Sequence, residues 1–92
     1  MKIEFDQVKS EKNRQERDLP FEQAADFDWA GASYAEDARN PYPERRFVAI
    51  GYLCSRLHVL CFTPVPGGVR VISFRKANER EAKRYGKALT TD

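Results

Sequence analysis

Three β-rich segments follow one another in the second half of the chain, and the connections between them are very short. The segments are residues 44–53, 56–63 and 69–75. Cys54 and Ser55 separate the first two, and a Pro-Val-Pro-Gly-Gly stretch at 64–68 separates the second two. Connections this short join antiparallel neighbours, because a parallel pair needs a crossover of about a dozen residues or more. The run therefore predicts a three-stranded antiparallel meander.

The N-terminal residues favour a strand followed by a helix. Polar and apolar residues alternate over residues 2–5, which is typical of a short strand. The Asp6 carboxylate can then cap a helix over residues 7–17, where nearly every residue is a good helix former. Val8 is almost the only apolar residue of that segment, so the helix would be mostly solvated.

The middle of the chain favours shorter elements. Pro20 suits the first turn of a second short helix, over residues 20–27, with a buried stripe formed by Phe21, Ala24 and Ala25. Residues 32–37 are compatible with a short strand. Residues 39–43 contain two prolines in three positions, which excludes a central strand and predicts a loop.

The chain closes with a predicted C-terminal helix. Asn78 and Glu81 have the spacing of a capping box, and Gly86 would end the regular helix. Ala82, Tyr85 and Leu89 share one face of it. The predicted order is β-α-α-β-β-β-β-α. We therefore expect one α+β domain over residues 1–92, an antiparallel sheet with two N-terminal helices and a C-terminal helix.

Length and composition limit the class of protein. A chain of 92 residues corresponds to one domain, and its 11 aromatic residues (six Phe, four Tyr, one Trp) argue against long-range disorder. No apolar run approaches the ~18–20 residues of a membrane span. The N-terminus also lacks the apolar stretch of a signal peptide. We expect a soluble, cytoplasmic protein that does not contact a membrane.

The net charge of +2 hides an uneven distribution of charged residues. Residues 1–43 contain six Lys/Arg and ten Asp/Glu, whereas residues 44–92 contain ten Lys/Arg and four Asp/Glu. The basic C-terminal part would attract a polyanion. An acidic substrate or an acidic protein partner is equally compatible with the charge alone.

No metal or nucleotide signature is present. The chain has one His and two Cys without CxxC or HxxxH spacing, which argues against a structural zinc site. Gly67-Gly68 lacks the Lys-Ser/Thr that would complete a phosphate-binding loop. Cys61 occupies an apolar strand position and is interpreted as a small buried hydrophobe. We therefore expect neither a cofactor nor a metal.

The remaining candidates for chemistry are basic, aromatic and hydroxyl side chains on the predicted sheet and last helix. Strand alternation puts Arg46 on one face with Val48, Ile50 and Tyr52. The same alternation puts Arg70 on a face with Ile72 and Phe74, and Arg75 on the other face with Val71 and Ser73. His58 falls on an apolar strand face with Leu60 and Phe62, which is more typical of a structural histidine than of an acid or base.

These residues carry a resemblance to a known family. Four parts of the sequence together resemble the BrnT family of bacterial toxins. They are the run Glu44-Arg45-Arg46-Phe47-Val48-Ala49-Ile50-Gly51, the pair Phe62-Thr63, the segment Arg70-Val71-Ile72-Ser73-Phe74-Arg75-Lys76-Ala77, and the later Glu81 and Tyr85. Residues 6–27 fit the same pattern, so the resemblance extends from Lys2 to about Tyr85.

The resemblance implies a RelE-like fold, ribonuclease toxicity in the cytoplasm and neutralisation by a ribbon-helix-helix (BrnA-like) antitoxin. That antitoxin also binds DNA, so DNA would be contacted only indirectly, and the family suggests two toxins bound to an antitoxin dimer. Two positions depart from the family. Its usual Lys-His-Gly is replaced by Glu16-Arg17-Asp18, and its frequent Arg after the Phe-Thr pair is replaced by Val65.

RNA cleavage requires activation of the 2′-OH, protonation of the leaving oxygen and stabilisation of the phosphate charge. We predict Arg46 and Arg75 as bidentate phosphate ligands, Lys76 as a phosphate donor and Tyr85 as a stacking group or proton donor. Further RNA-binding residues would be Arg70, Arg80 and Arg84. Simpler roles are also open: Arg75 could pair with a carboxylate of the N-terminal half, Arg46 with Glu44 or a helix carboxylate, and Glu81 could serve only as a cap.

Three functions agree with the sequence. The first is a metal-independent endoribonuclease toxin that cleaves RNA, inhibits growth and is held inactive by an antitoxin. The second is an RNA-binding module without catalysis. The third is a degenerate toxin homologue that retains only its antitoxin interface, because the replacements at Arg17 and Val65 have removed catalytic groups.

Overall fold

A computed structural model describes residues 1–91 of the chain. The strands are β1 (Lys2–Glu4), β2 (Ser33–Glu36), β3 (Phe47–Leu53), β4 (Arg56–Val65) and β5 (Gly68–Lys76). The α-helices are α1 (Gln7–Arg17) and α2 (Glu79–Arg84), and a 3₁₀ helix spans Phe21–Asp26. Among residues 1–91, no helix is long and apolar enough to cross a membrane.

The five strands form one sheet in the order β1-β5-β4-β3-β2. The predicted meander is confirmed: β3 pairs antiparallel with β4, and β4 pairs antiparallel with β5. The weaker strand prediction at 32–37 is also confirmed, because β2 pairs antiparallel with β3 at one edge. At the other edge β1 runs parallel to β5, so the sheet is mostly, but not wholly, antiparallel. With its helices, the fold is α+β, as predicted.

The second predicted helix is a 3₁₀ helix rather than an α-helix. Its buried residues are Phe21 and Ala24, with Phe27 buried directly after its end. These apolar residues are spaced by three, which matches the three residues per turn of a 3₁₀ helix. Pro20 precedes the helix in an extended conformation, and Ala25, which we had expected in the buried stripe, is exposed.

The two hairpin turns differ from each other. Cys54 and Ser55 both have positive φ, at 50° and 64°, which is the conformation of a type I′ turn made here without Gly or Asn. The second turn is shorter than the predicted 64–68. The strand β4 continues to Val65, and Pro66-Gly67 turns the chain with Gly67 at φ 80°.

A β-bulge changes the predicted faces of β5. Cys61 pairs with Ser73, but the next residue, Phe62, pairs with Val71, so Ile72 is an extra residue. One extra residue inverts the alternation of the strand on one side of the bulge. The prediction that Val71 shares a face with Arg75 is therefore wrong: Val71 packs in the same cluster as Phe74.

The two faces of the sheet are covered unequally. One face packs against the N-terminal segment, through a cluster that includes Leu19, Phe21, Phe27, Leu60 and Phe74. The opposite face carries a smaller cluster of Ile50, Leu57, Val59, Ala77 and Ala82, against which Tyr85 and Leu89 pack. Because α2 has only six residues, it covers part of this second face and leaves the rest open.

Candidate functional site

The uncovered part of the second face forms a groove of about 540 Å³, which we call the basic groove. Its floor is apolar, with Val48, Ile50, Val59 and Ile72 from β3, β4 and β5. Charged and aromatic side chains surround the floor, and they come from the end of β2 and the loop after it, from β5, and from α2 and the residue that follows it. The members of this rim are Glu36, Asp37, Arg39, Tyr42, Arg46, Arg75, Glu81, Arg84 and Tyr85.

Arg75 lies at the end of β5 and is bound to the first turn of α2. Its two terminal nitrogens donate to the two carboxylate oxygens of Glu81, at 2.9 and 2.7 Å. The hydrogen bonds and charge of Arg75 hold the pKa of Glu81 at about 2. The partner thus comes from the C-terminal helix, not from the N-terminal half as the simpler interpretation had it.

Glu81 also caps the N-terminus of α2. Its carboxylate accepts a hydrogen bond from the Asn78 backbone N–H at 3.0 Å, and the Asn78 side chain accepts from the Glu81 N–H at 2.8 Å. This reciprocal pair is the predicted capping box. One carboxylate therefore both starts the helix and fixes the Arg75 guanidinium.

Arg46 enters the basic groove from the residue before β3. Its guanidinium carbon lies 3.9 Å from the centre of the Tyr42 ring, which is a close cation–π contact. The Glu44 carboxylate is 3.6 Å away, so the pair expected from sequence is present but is not a tight hydrogen bond. Nε of Arg46 is buried and has no hydrogen-bond partner among residues 1–91. Because the Glu44 contact is loose, the terminal nitrogens of Arg46 can still donate to a ligand, whereas Arg75 already donates two hydrogen bonds to Glu81.

The loop between β2 and β3 is pinned by Asp37. Its side chain is 3% exposed and accepts from Arg39 at 2.8 and 2.9 Å. These bonds lower the pKa of Asp37, so its carboxylate remains charged near neutral pH. The Asp37 backbone N–H donates to the Arg46 carbonyl at 2.8 Å, which ties the loop to the start of β3.

The last helix adds Arg84 and Tyr85 to the groove. Tyr85 is the C-cap residue directly after α2, and it packs against the second apolar cluster while also lining the basic groove. The two interpretations made for it, packing and a site role, are therefore spatially compatible. Arg84 lies beside it on the exposed rim.

Four of the seven predicted site residues, Arg46, Arg75, Arg84 and Tyr85, meet in the basic groove, and three do not line it. Lys76 is exposed and pairs with His58 in the sheet. Arg70 lies at the parallel β1–β5 pairing, where it is 3.5 Å from Glu4. Arg80 is exposed on α2 and is absent from the lining of the groove.

His58 lies outside the groove, as its apolar strand position predicted. It is 3% exposed, its ring centre is 5.5 Å from that of Phe74, and Nδ1 is 2.8 Å from the Arg56 carbonyl oxygen. Burial lowers the pKa of His58, which favours the neutral ring. Cys61 is only half-buried and lines the groove, and burial raises the pKa of its thiol.

Sequence reasoning missed the part of the site that comes from the loop after β2. Tyr42 and Arg39 were interpreted only as residues of a Pro-rich loop, and Asp37 as the end of a weak strand. These residues line the groove only because the loop folds back over β3. The only local feature that could have suggested a site here is Tyr42, which lies between two prolines and close to two charged residues.

The groove presents four arginines and two tyrosines around an apolar floor. Guanidinium groups match phosphate oxygens, and an aromatic ring or an apolar floor suits a nucleobase. Within residues 1–91, no three His, Cys, Asp or Glu side chains are grouped so that they could hold a metal ion. The arrangement is therefore suited to binding a phosphodiester together with a base.

Two comparisons bear on this site. A family model described as "Ribonuclease toxin, BrnT, of type II toxin-antitoxin system" matches residues 5–81, a range that begins directly after β1 and ends in the first turn of α2. A comparison with curated proteins gave no match. The matched range contains Arg46, Arg75 and Glu81, whereas Arg84 and Tyr85 follow it.

Proposed function

The chain belongs to the BrnT family of ribonuclease toxins of type II toxin–antitoxin systems, and on this premise we propose that it is a metal-independent endoribonuclease whose catalytic site is the basic groove. A toxin of this class has an antitoxin partner and an RNA substrate. The observation that carries the proposal is the meeting of Arg46, Arg75 and Tyr85, which are distant in sequence, around one open apolar floor.

The two arginines would hold the phosphate that is cleaved. Within residues 1–91 the terminal nitrogens of Arg46 have only a loose contact with Glu44, at 3.6 Å, so a phosphate can bind them without breaking a strong pair. Arg75 has five N–H groups, of which two bind Glu81 and one more reaches the Lys76 carbonyl at 3.3 Å. The remaining donors can contact a phosphate oxygen while Glu81 keeps the guanidinium in place.

Charge stabilisation is the largest contribution these groups could make. Cleavage by the 2′-OH builds negative charge on the phosphate, and fixed guanidinium groups lower that barrier most where water is partly excluded. Tyr85 can stack on a base or donate a proton to the leaving oxygen. Glu81, with a pKa of about 2, is a weak base while it is bound to Arg75.

The replaced family positions lie away from the groove. Val65 ends β4 at the Pro66-Gly67 turn and does not line the basic groove. Arg17 ends α1, on the other side of β5, and does not line the basic groove either. Asp18 has a left-handed φ of 55°, the conformation that a glycine adopts most readily. The departures therefore leave the proposed arginine site complete, which favours an active enzyme over a degenerate homologue.

We further propose that the fold is RelE-like and that the protein acts in the cytoplasm. The antitoxin would be a ribbon-helix-helix dimer that binds two toxin molecules and covers the basic groove. An acidic antitoxin segment would fit the arginine rim for the same electrostatic reason as RNA does.

The test compares Arg75→Ala with Arg45→Ala, because Arg45 also forms a two-bond pair, with Glu36, but does not line the groove. Purified proteins are incubated with RNA in EDTA. We expect Arg75→Ala to lose about 10²–10³-fold in cleavage rate and Arg45→Ala to keep the wild-type rate. Arg75→Lys should also be poor, because an ammonium group lacks the planar fork.

Expression without a partner provides the cellular test. We expect growth arrest for wild type and none for Arg75→Ala at equal expression. RNA that is bound but stays intact in EDTA would indicate a non-catalytic binding module, and tolerated expression of wild type would indicate a degenerate homologue. Equal cleavage by wild type and Arg75→Ala would move the site away from the basic groove.

A further inference from the structure

A second cleft of about 370 Å³ lies between α1 and the outer edge of β5. We call it the α1 cleft. Its lining is the α1 residues Lys9, Lys12, Asn13, Glu16 and Arg17, together with Phe21, Ile72, Ser73, Phe74 and Arg75. None of the residues from α1 belongs to the basic groove.

The α1 cleft exists because β1 is short. It pairs with only Gly68–Arg70 of β5, so the rest of the outer edge of β5 has no neighbouring strand among residues 1–91. The Asn13 amide bridges this open edge, because it donates to the Phe74 carbonyl at 2.9 Å and to the Leu19 carbonyl at 2.6 Å. The amide thus holds α1 alongside β5 while leaving a space between them.

The helix presents a basic face to this space. Its lining residues are separated by three, four, seven and eight positions, which places them on one side of an α-helix. With Arg75, the cleft contains four basic residues and one acidic residue, and that acid, Glu16, is 4.0 Å from Lys12. Within residues 1–91, Lys9 and Arg17 form no ion pair.

The opposite side of α1 is different. Arg14 lies there, outside the α1 cleft, and its charge is matched by Glu11, to which it donates hydrogen bonds at 3.1 and 3.0 Å. Positive charge that is not compensated within the helix is therefore directed toward the cleft.

The two cavities meet at the edge of β5. Ile72, Ser73 and Arg75 line both the basic groove and the α1 cleft. The bulge at Ile72 is what disrupts regular alternation here, and it lies next to the pairing of Cys61 with Ser73. A chain lying in the basic groove can therefore continue over this edge without crossing an intervening strand.

We propose that the α1 cleft is a second RNA subsite, which binds the backbone phosphates of nucleotides flanking the one held in the basic groove. The proposal rests on the ribonuclease function proposed above and adds a specific path for the substrate. Lys9 and Arg17 bind the phosphates, and Lys12 joins them when its 4.0 Å contact with Glu16 opens. A basic channel that follows the backbone suits single-stranded RNA, because contacts of this kind do not depend on base sequence.

The test uses single-stranded 2′-O-methyl RNA, which lacks the attacking hydroxyl and so remains intact during a binding titration. One oligonucleotide of about 4 nucleotides fits the basic groove, and one of about 12 nucleotides can reach the α1 cleft. The variant is Lys9→Gln/Arg17→Gln, and both positions are exposed, so the fold should tolerate it. The matched control is Arg14→Gln, on the other side of the same helix.

We expect wild type to bind the longer RNA more tightly and with a steeper salt dependence. For that RNA, Lys9→Gln/Arg17→Gln should reduce the slope of log affinity against log salt by about 0.7 for each lost phosphate contact. The same variant should bind the short RNA as wild type does, and Arg14→Gln should match wild type with both.

Two results would overturn the second subsite while leaving the proposed ribonuclease function intact. One is equal affinity of wild type for the short and long RNA, and the other is an unchanged salt slope in Lys9→Gln/Arg17→Gln. Wild type that binds neither oligonucleotide at low salt would overturn both proposals. Equal weakening of long-RNA binding by Lys9→Gln/Arg17→Gln and by Arg14→Gln would show that only the net charge of the protein matters. That result would also overturn the second subsite.

Discussion

Arg75 and Glu81 join the end of β5 to the start of α2 through two parallel hydrogen bonds, at 2.9 and 2.7 Å. The same carboxylate closes the capping box with Asn78, so the orientation of a groove arginine and the formation of the helix depend on one side chain. The pair is partly shielded from water, with Glu81 23% and Arg75 39% exposed. It is therefore both a structural link and the support of the proposed phosphate site.

We predict that Glu81→Gln destabilises the fold by about 1–3 kcal/mol, because it removes charged hydrogen bonds to Arg75. The loss depends on pH in a defined direction. The pKa of Glu81 is lowered from 4.5 to about 2, so its stabilising contribution is complete above pH 4.5 and is lost as the pH falls toward 2. Urea unfolding of wild type and Glu81→Gln should therefore give a difference that shrinks over this range.

The matched control for that measurement is Glu79→Gln, because Glu79 lies in the same first turn of α2 but forms no ion pair within residues 1–91. Glu79→Gln should lower the free energy of unfolding by no more than about a few tenths of a kcal/mol, because it removes only a favourable interaction with the helix dipole. A difference between wild type and Glu81→Gln that stays constant from pH 7 to pH 2 would show that the ion pair is not the source of the stability.

Tyr42 should matter through the ring that supports Arg46. We predict that Tyr42→Ala weakens RNA binding a few-fold, because a cation–π contact at an exposed site contributes about 0.5–1 kcal/mol and its loss lets the guanidinium move. Tyr42→Phe keeps the ring and should retain wild-type affinity in the same titration. Equal weakening by both variants would instead assign the effect to the Tyr42 hydroxyl.

His58→Gln should retain most of the cleavage activity, because His58 is buried on the face of the sheet that does not carry the basic groove. Cleavage rates in EDTA across pH 5–9 should follow the same profile for both proteins. A fall of about 10²-fold, with loss of an inflection near pH 6–7, would identify His58 as the general acid or base.

The same histidine should make the folded protein less stable in mild acid. Burial lowers the pKa of His58 below 6.5, so the unfolded chain binds a proton more readily than the folded chain does. The free energy of unfolding of wild type should therefore fall as the pH drops below about 6.5, and that fall should be smaller in His58→Gln. If the free energies of unfolding of the two proteins depend on pH in the same way in urea titrations between pH 8 and pH 5, the prediction is wrong.

The turn between β3 and β4 offers a prediction on stability alone. Cys54 and Ser55 both occupy the left-handed region, which strains a residue that has a Cβ. Replacing them by Asn and Gly, as Cys54→Asn/Ser55→Gly, should raise the free energy of unfolding by about 1 kcal/mol. Cys54→Ala/Ser55→Ala keeps the strain and should give no gain in the same urea titration, and a gain of equal size would mean that strain is not the cause.

Local sequence signals determined the elements of this protein that depend on local energetics. The meander of β3 to β5, the cap at Asp6 and the capping box at Asn78 and Glu81 were all predicted, because alternation, chain length and nearby hydrogen bonds are encoded within a few residues. The family was also evident from the motif around Arg75. These features do not require knowledge of which distant residues meet.

The tertiary structure decided what distant residues do together. The bulge at Ile72 reversed the predicted faces of β5, since one extra residue inverts side-chain alternation and only pairing with β4 shows where it sits. The parallel pairing of β1 with β5 joins segments that are far apart in the chain, and the basic groove brings Arg46 of the segment before β3 to Arg75 of β5. The contacts of Arg75 with Glu81 and of Tyr42 with Arg46 are close in sequence, but each depends on how the chain bends between two elements. The contacts between distant residues arise from packing of whole elements against each other, and no local pattern in the sequence encodes them.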